Sequence, residues 1–169
     1  KNIGQKRYGQ SIGKIIQETV KAIQSASLKN TCLLMTLHGD PAIVLNTHSL
    51  PDYTITVSDV YTEPPEVTTD VDSFKLKMII TNIGRAINTD LLVWVTRKYP
   101  VESNFTDTTY SVIFPGVYYK DTITLKLPVD VINGVRLNNF DIRIDPDIAV
   151  AELSDNNNDI VHPVFIKSD

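Results

Sequence analysis

The fold is decided by the stretch Phe74-Lys75-Leu76-Lys77-Met78-Ile79-Ile80-Thr81-Asn82-Ile83-Gly84. Every second side chain from position 74 to position 80 is apolar, and this period of two indicates a β-strand with one face in a core. Asn82-Ile83-Gly84 ends the strand, and Gly84 suits a left-handed turn because glycine adopts positive φ without strain. The stretch therefore predicts a half-buried strand with a turn directly after it.

Further runs on either side of this stretch have the composition of short strands, with turn residues between them. They are 53–57, 91–97, 111–114, 122–127, 139–145 and 160–166. About seven short strands predict a mainly β fold, an immunoglobulin-like antiparallel β-sandwich over residues 52–169. Only one cysteine is present, so packing without an internal disulfide must hold the core together. Trp94, in the middle of its strand, is the predicted core anchor.

Residues 11–27 have the pattern of an amphipathic helix. Apolar side chains recur at spacings of three and four from Ile12 to Ile23, which places them on one face. Ser11 is a suitable N-cap because its hydroxyl can accept a hydrogen bond from the first turn. An apolar face of this kind must be covered. We expect it to pack on a neighbouring domain, on the sandwich, on residues 31–45 or on a second copy, which would form a dimer through this helix.

Charge and composition argue against two classes of partner. The formal net charge is -4, the pI is about 5.3 and the basic residues are scattered. Nucleic acid is therefore not an expected partner, because phosphate neutralisation needs clustered Lys and Arg. No apolar run approaches the roughly 18 residues that suggest a membrane span. Cys32 lies in an apolar run, and we expect a small buried hydrophobe there rather than an activated nucleophile.

The segment before the predicted sandwich carries the motif Leu37-His38-Gly39-Asp40-Pro41-Ala42. With a helix before it and a sandwich after it, this motif resembles the closing segment of the catalytic domain in gingipain-type (caspase-like) bacterial cysteine peptidases. The resemblance implies that residues 1–46 are the C-terminal remnant of a peptidase-like domain, with a helix at 11–27 and a closing segment at 31–45. Residues 47–51 would then be the linker. The central positions of the motif are Gly39, Asp40 and Pro41.

The same resemblance implies a function for the parent protein rather than for this chain. The family's catalytic His and Cys come from the middle of the caspase-like domain, and no residue here matches them. We therefore expect no enzyme activity from this chain. Its expected partner is the preceding peptidase domain of the same polypeptide. A parent of this kind would be secreted or attached to the bacterial cell surface and would act in proteolysis.

A second resemblance covers most of residues 52–166. The strand end 77–84 and the segment 140–158 are similar to the corresponding parts of bacterial cell-adhesion-related sandwich domains. This resemblance implies that the sandwich is a spacer, a stabiliser or an adhesion module. It specifies the fold more closely than it specifies any ligand.

An acidic stretch near the end of the chain supplies the candidate metal ligands. Carboxylates surround one predicted hairpin, and residues 156–158 add three asparagines to them. Calcium is bound by oxygen atoms of this kind, and it is the one cofactor that the sequence suggests. The spacing fits no EF-hand loop, and Asx side chains also build turns, so turn formation is the favoured interpretation. The carboxylates are Asp145, Asp147, Glu152, Asp155 and Asp159.

Aromatic residues suggest a second candidate site. Tyr110, Tyr118 and Tyr119 lie near Phe114 in the sequence and could present a surface for an extracellular protein or a glycan, although aromatics are also ordinary strand residues. The main alternative to a peptidase-attached module is thus a self-contained extracellular binding domain for glycan, peptide or calcium. A third class, a structural unit joined through unpaired strand edges, is also open. The position of the helix's apolar face distinguishes the first two.

Overall fold

The computed structural model describes residues 9–23, 26–34, 36–45 and 48–168. It has two short helices followed by nine strands in those residues. The helices are α1 (Ile12–Ala22) and α2 (Ala26–Leu33). The strands are β1 (Tyr53–Thr54), β2 (Val60–Glu63), β3 (Val67–Thr68), β4 (Ser73–Asn82), β5 (Leu91–Lys98), β6 (Thr108–Phe114), β7 (Lys120–Pro128), β8 (Arg136–Ile144) and β9 (Asp159–Lys167).

The strands form two sheets that pack as a sandwich. In the smaller sheet β4 pairs with β7 on one side and with β1 and β2 on the other, all antiparallel. The larger sheet has the order β3-β9-β8-β5-β6, in which only the short β3–β9 pairing is parallel. The prediction of a mainly β, immunoglobulin-like sandwich is therefore confirmed. We call residues 48–168 the sandwich and residues 9–45 the N-terminal unit.

The sandwich has one apolar core, and its members in the described part of the chain all lie between residues 53 and 166. On β4 the buried positions are every second residue from Phe74 to Asn82, as the period of two predicts. Val93, Val95, Phe140 and Ile142 of the other sheet face these residues and are also fully buried. Because the chain has no disulfide, this packing carries the stability of the sandwich.

The segment 53–68 differs from its prediction. Only Tyr53–Thr54 of the predicted strand 53–57 is extended and paired, because Val57–Asp59 form a 3₁₀ turn in which the Asp59 carboxylate accepts the backbone N–H of Thr56 at 3.0 Å. The short strands β2 and β3 were not predicted. The pair Pro64-Pro65 separates them, and the chain crosses from the smaller sheet to the larger one there.

Trp94 is not the core anchor that was predicted. On β5 the core positions are Leu91, Val93, Val95 and Arg97, so Trp94 lies on the outer face of the larger sheet. The run 91–95 is apolar throughout, so it does not indicate which of its alternate residues face the core. The size of the Trp side chain then suggested burial. The register places Trp94 between Ser111 on β6 and Arg143 on β8.

Gly84 follows β4 as predicted, but for another reason. Its φ is not positive, so the left-handed turn expected there is wrong. A Cβ at this position would lie 2.5 Å from the Leu50 carbonyl oxygen and 2.7 Å from the Asp52 nitrogen. Glycine is needed because the backbone of residues 50–52 passes directly against it.

The N-terminal unit begins with α1, which is shorter than the predicted helix 11–27. Ser11 is its N-cap as expected, because its Oγ accepts the backbone N–H of Lys14 at 3.4 Å. The helix ends at Ala22, residues 24 and 25 lie outside the described part of the chain, and α2 then covers the start of the predicted closing segment 31–45. No described helix has the length and apolarity of a membrane-spanning segment.

Residues 41–44 dock on the first turn of α1. The backbone N–H of Ile12 donates to the Ile43 carbonyl at 2.8 Å, and that of Gly13 donates to the Pro41 carbonyl at 2.9 Å. A Cβ on Gly13 would lie 2.7 Å from the Pro41 Cβ. Ile15 alone is buried among the described residues of this unit, and neither helix makes more than marginal contact with a strand of the sandwich.

Candidate functional site

The connection between β8 and β9 begins with a buried carboxylate that shapes the turn. Asp145 has a left-handed backbone with φ of 48°. Its Oδ1 accepts the backbone N–H of Ala149 at 3.1 Å, and its Oδ2 accepts that of Val150 at 2.8 Å. Both oxygens thus satisfy backbone donors of the loop, which is how Asx residues build turns. The turn interpretation therefore holds for Asp145.

Glu152 joins this connection to the first strand of the sandwich. Its Oε2 accepts the backbone N–H of Tyr53 at 2.6 Å, and its Oε1 accepts the Asn158 side-chain amide at 2.9 Å. Burial, together with the nearby carboxylates of Asp145 and Asp155, raises the pKa of Glu152 to about 7. Burial, together with the carboxylates of Glu152 and Asp145, raises the pKa of Tyr53 to about 12. Its hydroxyl is buried and has no hydrogen-bond partner within the part of the chain that the structure describes.

Asn82 anchors the same end of the sandwich. Its Oδ1 accepts the backbone N–H groups of Asp52 at 3.1 Å and of Gly84 at 2.9 Å, while its amide donates to the Arg85 and Val117 carbonyls. The side-chain amide of Asn157 donates to Asp52 Oδ1 at 2.9 Å. Sequence reasoning missed these partners, because Asp52 and Asn157 are far apart in the chain and no local pattern marks them.

The structure brings only some of the predicted metal ligands together. Asp145 and Glu152 lie in the network just described, whereas Asp147, Asp155 and Asp159 are exposed. Within residues that the structure describes, no group of three His, Cys, Asp or Glu side chains is placed to hold a metal ion. Asp145 accepts backbone N–H groups of the loop, and Glu152 accepts the Tyr53 backbone N–H and the Asn158 amide.

The three predicted tyrosines do not form one surface. Tyr110 is half-buried, and Arg97 and Tyr99 lie close enough to influence the pKa of its hydroxyl. Burial is the main reason that its pKa is raised. Tyr118 donates its hydroxyl to Asn88 Oδ1, and Tyr119 is exposed. Tyr110 therefore belongs to a structural cluster rather than to an open ligand surface.

That cluster is centred on Arg97, which is fully buried in the sandwich. Its Nε donates to Asn138 Oδ1 at 2.9 Å, and its two terminal nitrogens donate to the Pro128 and Val129 carbonyls at 2.6 and 2.9 Å. Its guanidinium lies 4.4 Å from the centre of the Tyr99 ring. Burial lowers the pKa of Arg97. The sequence predicted no role for this residue, because an Arg in a strand is usually exposed.

The motif Gly39, Asp40 and Pro41 forms a turn. Gly39 has a φ of 130°, which favours glycine. Asp40 Oδ1 accepts the backbone N–H of Ala42 at 2.8 Å, and its carbonyl accepts that of Ile43 at 3.3 Å. The motif therefore turns the chain so that residues 41–44 reach α1. Cys32 is only partly buried at the end of α2, so the expected burial of this side chain is incomplete.

A hollow on the outer face of the larger sheet was not predicted. It has a volume of about 400 Å³ and lies over β8, β5 and the edge strand β6. Sequence reasoning missed it because Trp94 was assigned to the core. We call it the Trp94 hollow. Its lining residues are Trp94, Thr96, Thr109, Asp141 and Arg143.

The geometry defines a β-sandwich module whose turns and buried polar groups are organised around its own core. No protein-family model matches the chain, and no curated protein is similar to it. Among solved structures, the chain is similar to the CARDB domain of the PF1109 protein from Pyrococcus furiosus, crystallised in complex with di-metal ions. That match has 19% identity and a TM-score of 0.49, and it covers 77% of this chain and 99% of that domain.

The solution NMR structure of the same Pyrococcus furiosus domain is also similar. It has 19% identity and a TM-score of 0.42, and the match covers 70% of this chain and 96% of that domain. No comparison bears on the gingipain-type resemblance. Likeness at this level says nothing about the ligands of this chain.

Proposed function

We propose that this chain is a non-catalytic adhesion or spacer module of a secreted or cell-surface bacterial protein, and that its N-terminal unit is the edge of a preceding domain. The observation that carries the proposal is the unequal packing of the two regions. The sandwich core is built from residues 53–166 alone, and Ile15 is the one buried side chain among the described residues of the N-terminal unit. A region that cannot bury its own apolar side chains needs a neighbour to cover them.

The exposed apolar side chains of the N-terminal unit indicate where that neighbour would lie. Leu34 is 85% exposed. Others are more than a third exposed and lie on both helices and on either side of the motif positions Gly39, Asp40 and Pro41. They are Val20, Leu28, Leu37, Ile43, Val44 and Leu45. Single exposed apolar residues are ordinary, but a succession of them along a short unit favours an interface.

The motif at Gly39–Pro41 supports a gingipain-type cysteine peptidase as the identity of the preceding domain. On this proposal the sandwich follows the peptidase domain of the same polypeptide as a spacer, stabiliser or adhesion surface. The coding sequence upstream of Lys1 tests it directly. A caspase-like α/β pattern with a His and a later Cys would support the proposal. An upstream sequence that encodes an unrelated domain would overturn the peptidase context.

A cleavage assay tests the non-catalytic part of the proposal. The purified chain is incubated with a panel of fluorogenic peptides, with and without a thiol-alkylating reagent. We expect no cleavage above that of a Cys32→Ser variant. Cleavage that the reagent and the substitution both abolish would show that Cys32 is a nucleophile and would contradict the proposal.

Calcium binding by the β8–β9 connection remains the alternative prediction. It is favoured by two buried side-chain oxygens, Asn157 Oδ1 and Asn158 Oδ1, which have no hydrogen-bond partner among residues 9–23, 26–34, 36–45 and 48–168. Melting temperatures measured with millimolar calcium and with a chelator test this alternative. Binding to the folded state raises the melting temperature by linkage. An equal melting temperature in both conditions would remove calcium, and a rise that Asp145→Asn abolishes would establish it.

A further inference from the structure

The Trp94 hollow lies on the outer face of the larger sheet, over β8, β5 and the edge strand β6. The strand register forms it from two adjacent rows. Ser111, Trp94 and Arg143 are aligned across β6, β5 and β8 in one row. Thr109, Thr96 and Asp141 are aligned across the same strands in the next row.

The polar groups of the hollow offer both donors and acceptors. The hydroxyls of Thr96 and Thr109 are 2.9 Å apart, and Asp141 Oδ2 is 2.5 Å from the Lys98 ammonium. The other oxygen, Asp141 Oδ1, is covered and has no hydrogen-bond partner among the described residues. A covered carboxylate oxygen without a donor is unfavourable, so Asp141 has unused acceptor capacity beside the hollow. Arg143 is exposed beside it and carries further donors.

A second hollow of about 240 Å³ adjoins the first on the side of β9. The two hollows share Asp141 and Arg143, and Asp159 and Val161 line the outer part of the second one. An extended ligand could therefore occupy both hollows, with the shared charged pair at its middle. The combined shape is shallow and elongated rather than closed.

We propose that the Trp94 hollow is a saccharide-binding site, with one sugar ring over Trp94 and a second in the adjoining hollow. The inference deepens the adhesion function proposed above and rests on it. A sugar ring presents C–H groups on its face and hydroxyls on its edge. It therefore matches an aromatic ring that is surrounded by a carboxylate, a guanidinium and two hydroxyls.

The same chemistry favours a saccharide over a protein partner at this place. The core of a protein interface is depleted of charged residues and enriched in apolar contacts. The Trp94 hollow instead has Asp141 and Arg143 in the lining that holds its single aromatic ring, and Lys98 forms an ion pair with Asp141. The more apolar pair on this face, Leu137 and Phe165, lies outside the hollow and pairs across β8 and β9.

Tryptophan fluorescence provides a direct test, because Trp94 is the only tryptophan in the chain. The full chain is titrated with oligosaccharides built from glucose, galactose, mannose, N-acetylglucosamine or uronic acid, after an immobilised array of the same compounds has ranked them. We expect a saturable change in the emission of Trp94 with at least one of them. No binding on the array and no change in emission up to millimolar oligosaccharide would overturn the saccharide site.

Variants separate the hollow from the rest of the face. Calorimetric titration should show at least about tenfold weaker binding for Trp94→Ala and for Arg143→Ala, with Trp94→Phe retaining most of the affinity. The matched control is Phe165→Ala, an exposed aromatic on the same face, which should bind as the wild type does. Arg143 is exposed, so its variant tests the site even if Trp94→Ala folds poorly.

The possible outcomes separate this inference from the adhesion function. Saccharide binding that is unchanged in Trp94→Ala and Arg143→Ala would place adhesion elsewhere on the sandwich and overturn this site alone. Binding of a protein partner through the hollow, with no saccharide bound, would also overturn the inference while leaving an adhesion module. Loss of saccharide binding in both variants, with the Phe165→Ala control intact, supports the site.

Discussion

The sandwich and the N-terminal unit belong to one chain but close in different ways. In the sandwich, alternating strands bury one continuous core, and buried polar side chains such as Asn82 and Arg97 are held by several hydrogen bonds. In the N-terminal unit a helix meets one turn through backbone contacts, and its apolar side chains are mostly exposed. This difference is the basis for the proposal that the sandwich folds alone and that the N-terminal unit packs against a neighbouring domain.

The largest expected effect is on the sandwich, from Arg97→Ala. This change leaves the Pro128 and Val129 carbonyls and Asn138 Oδ1 without their buried donor, so we expect a loss of about 4 kcal/mol in the free energy of unfolding. Urea denaturation measures it. The control is Arg136→Ala, whose side chain is 64% exposed and should change stability little. Equal losses of unfolding free energy in both variants would contradict the stabilising role assigned to the buried hydrogen bonds of Arg97.

The next effect compares one buried apolar side chain from each region. Leu76 is fully buried in the sandwich core, and Leu76→Ala should lower the free energy of unfolding by about 3 kcal/mol because it leaves a cavity. Ile15→Ala makes a similar truncation in the N-terminal unit. It should leave the main unfolding transition of the sandwich unchanged. A large shift of that transition by Ile15→Ala would mean that the two regions share one cooperative core.

A smaller effect depends on pH and lies at the end of the sandwich next to its first strand. The folded pKa of Glu152 is about 7, above its ordinary value of 4.5. The folded state therefore binds the Glu152 carboxyl proton more tightly than the unfolded state does. The stability that this proton contributes is complete below about pH 4.5 and is lost as the pH rises through 7. Because Glu152 is partly exposed, we expect a loss of about 1–2 kcal/mol rather than the full shift.

Glu152→Gln isolates this contribution. Burial lowers the pKa of His162, which gives the opposite trend near the same pH, so the difference between wild type and variant is the informative quantity. Chemical denaturation between pH 5 and pH 8 should show the wild type losing stability relative to Glu152→Gln as the pH rises. Parallel stability curves for wild type and variant would mean that Glu152 titrates normally.

The smallest effect is expected from the exposed side chains of the N-terminal unit. Leu34→Ser should change the free energy of unfolding of the sandwich by less than about 0.5 kcal/mol, because Leu34 is 85% exposed. If a preceding domain covers this surface, the same substitution should weaken its association with this chain. Pull-down of the upstream domain by the wild type and by Leu34→Ser tests that contact. Equal retention would remove Leu34 from the interface.

Much of the fold follows from local sequence. The period of two at 74–80 gives β4 its buried face, and the spacing from Ile12 to Ile23 gives α1. The face of Trp94 could not be predicted in this way, because a run of consecutive apolar residues does not indicate which of them point into the core. Only the pairing of β5 with β6 and β8 fixes the face on which Trp94 lies. The strands β2 and β3 are too short for their periodicity to stand out.

The candidate site was less predictable than the fold. The turn role of Asp145 follows from the properties of Asx residues, and the structure confirms it. The partners of Glu152 could not be foreseen, because Tyr53 is 99 residues away along the chain. The Trp94 hollow needs three strands in register, and no single strand indicates it.

Removal of residues 1–47 tests the central claim most directly, since all of the sandwich core lies beyond that point. Differential scanning calorimetry compares the shortened chain with the full chain. We predict that the shortened chain unfolds in one cooperative transition, with a melting temperature within about 2 °C of the main transition of the full chain. A loss of cooperative unfolding, or a drop of many degrees, would contradict the claim that the sandwich is complete without its N-terminal unit.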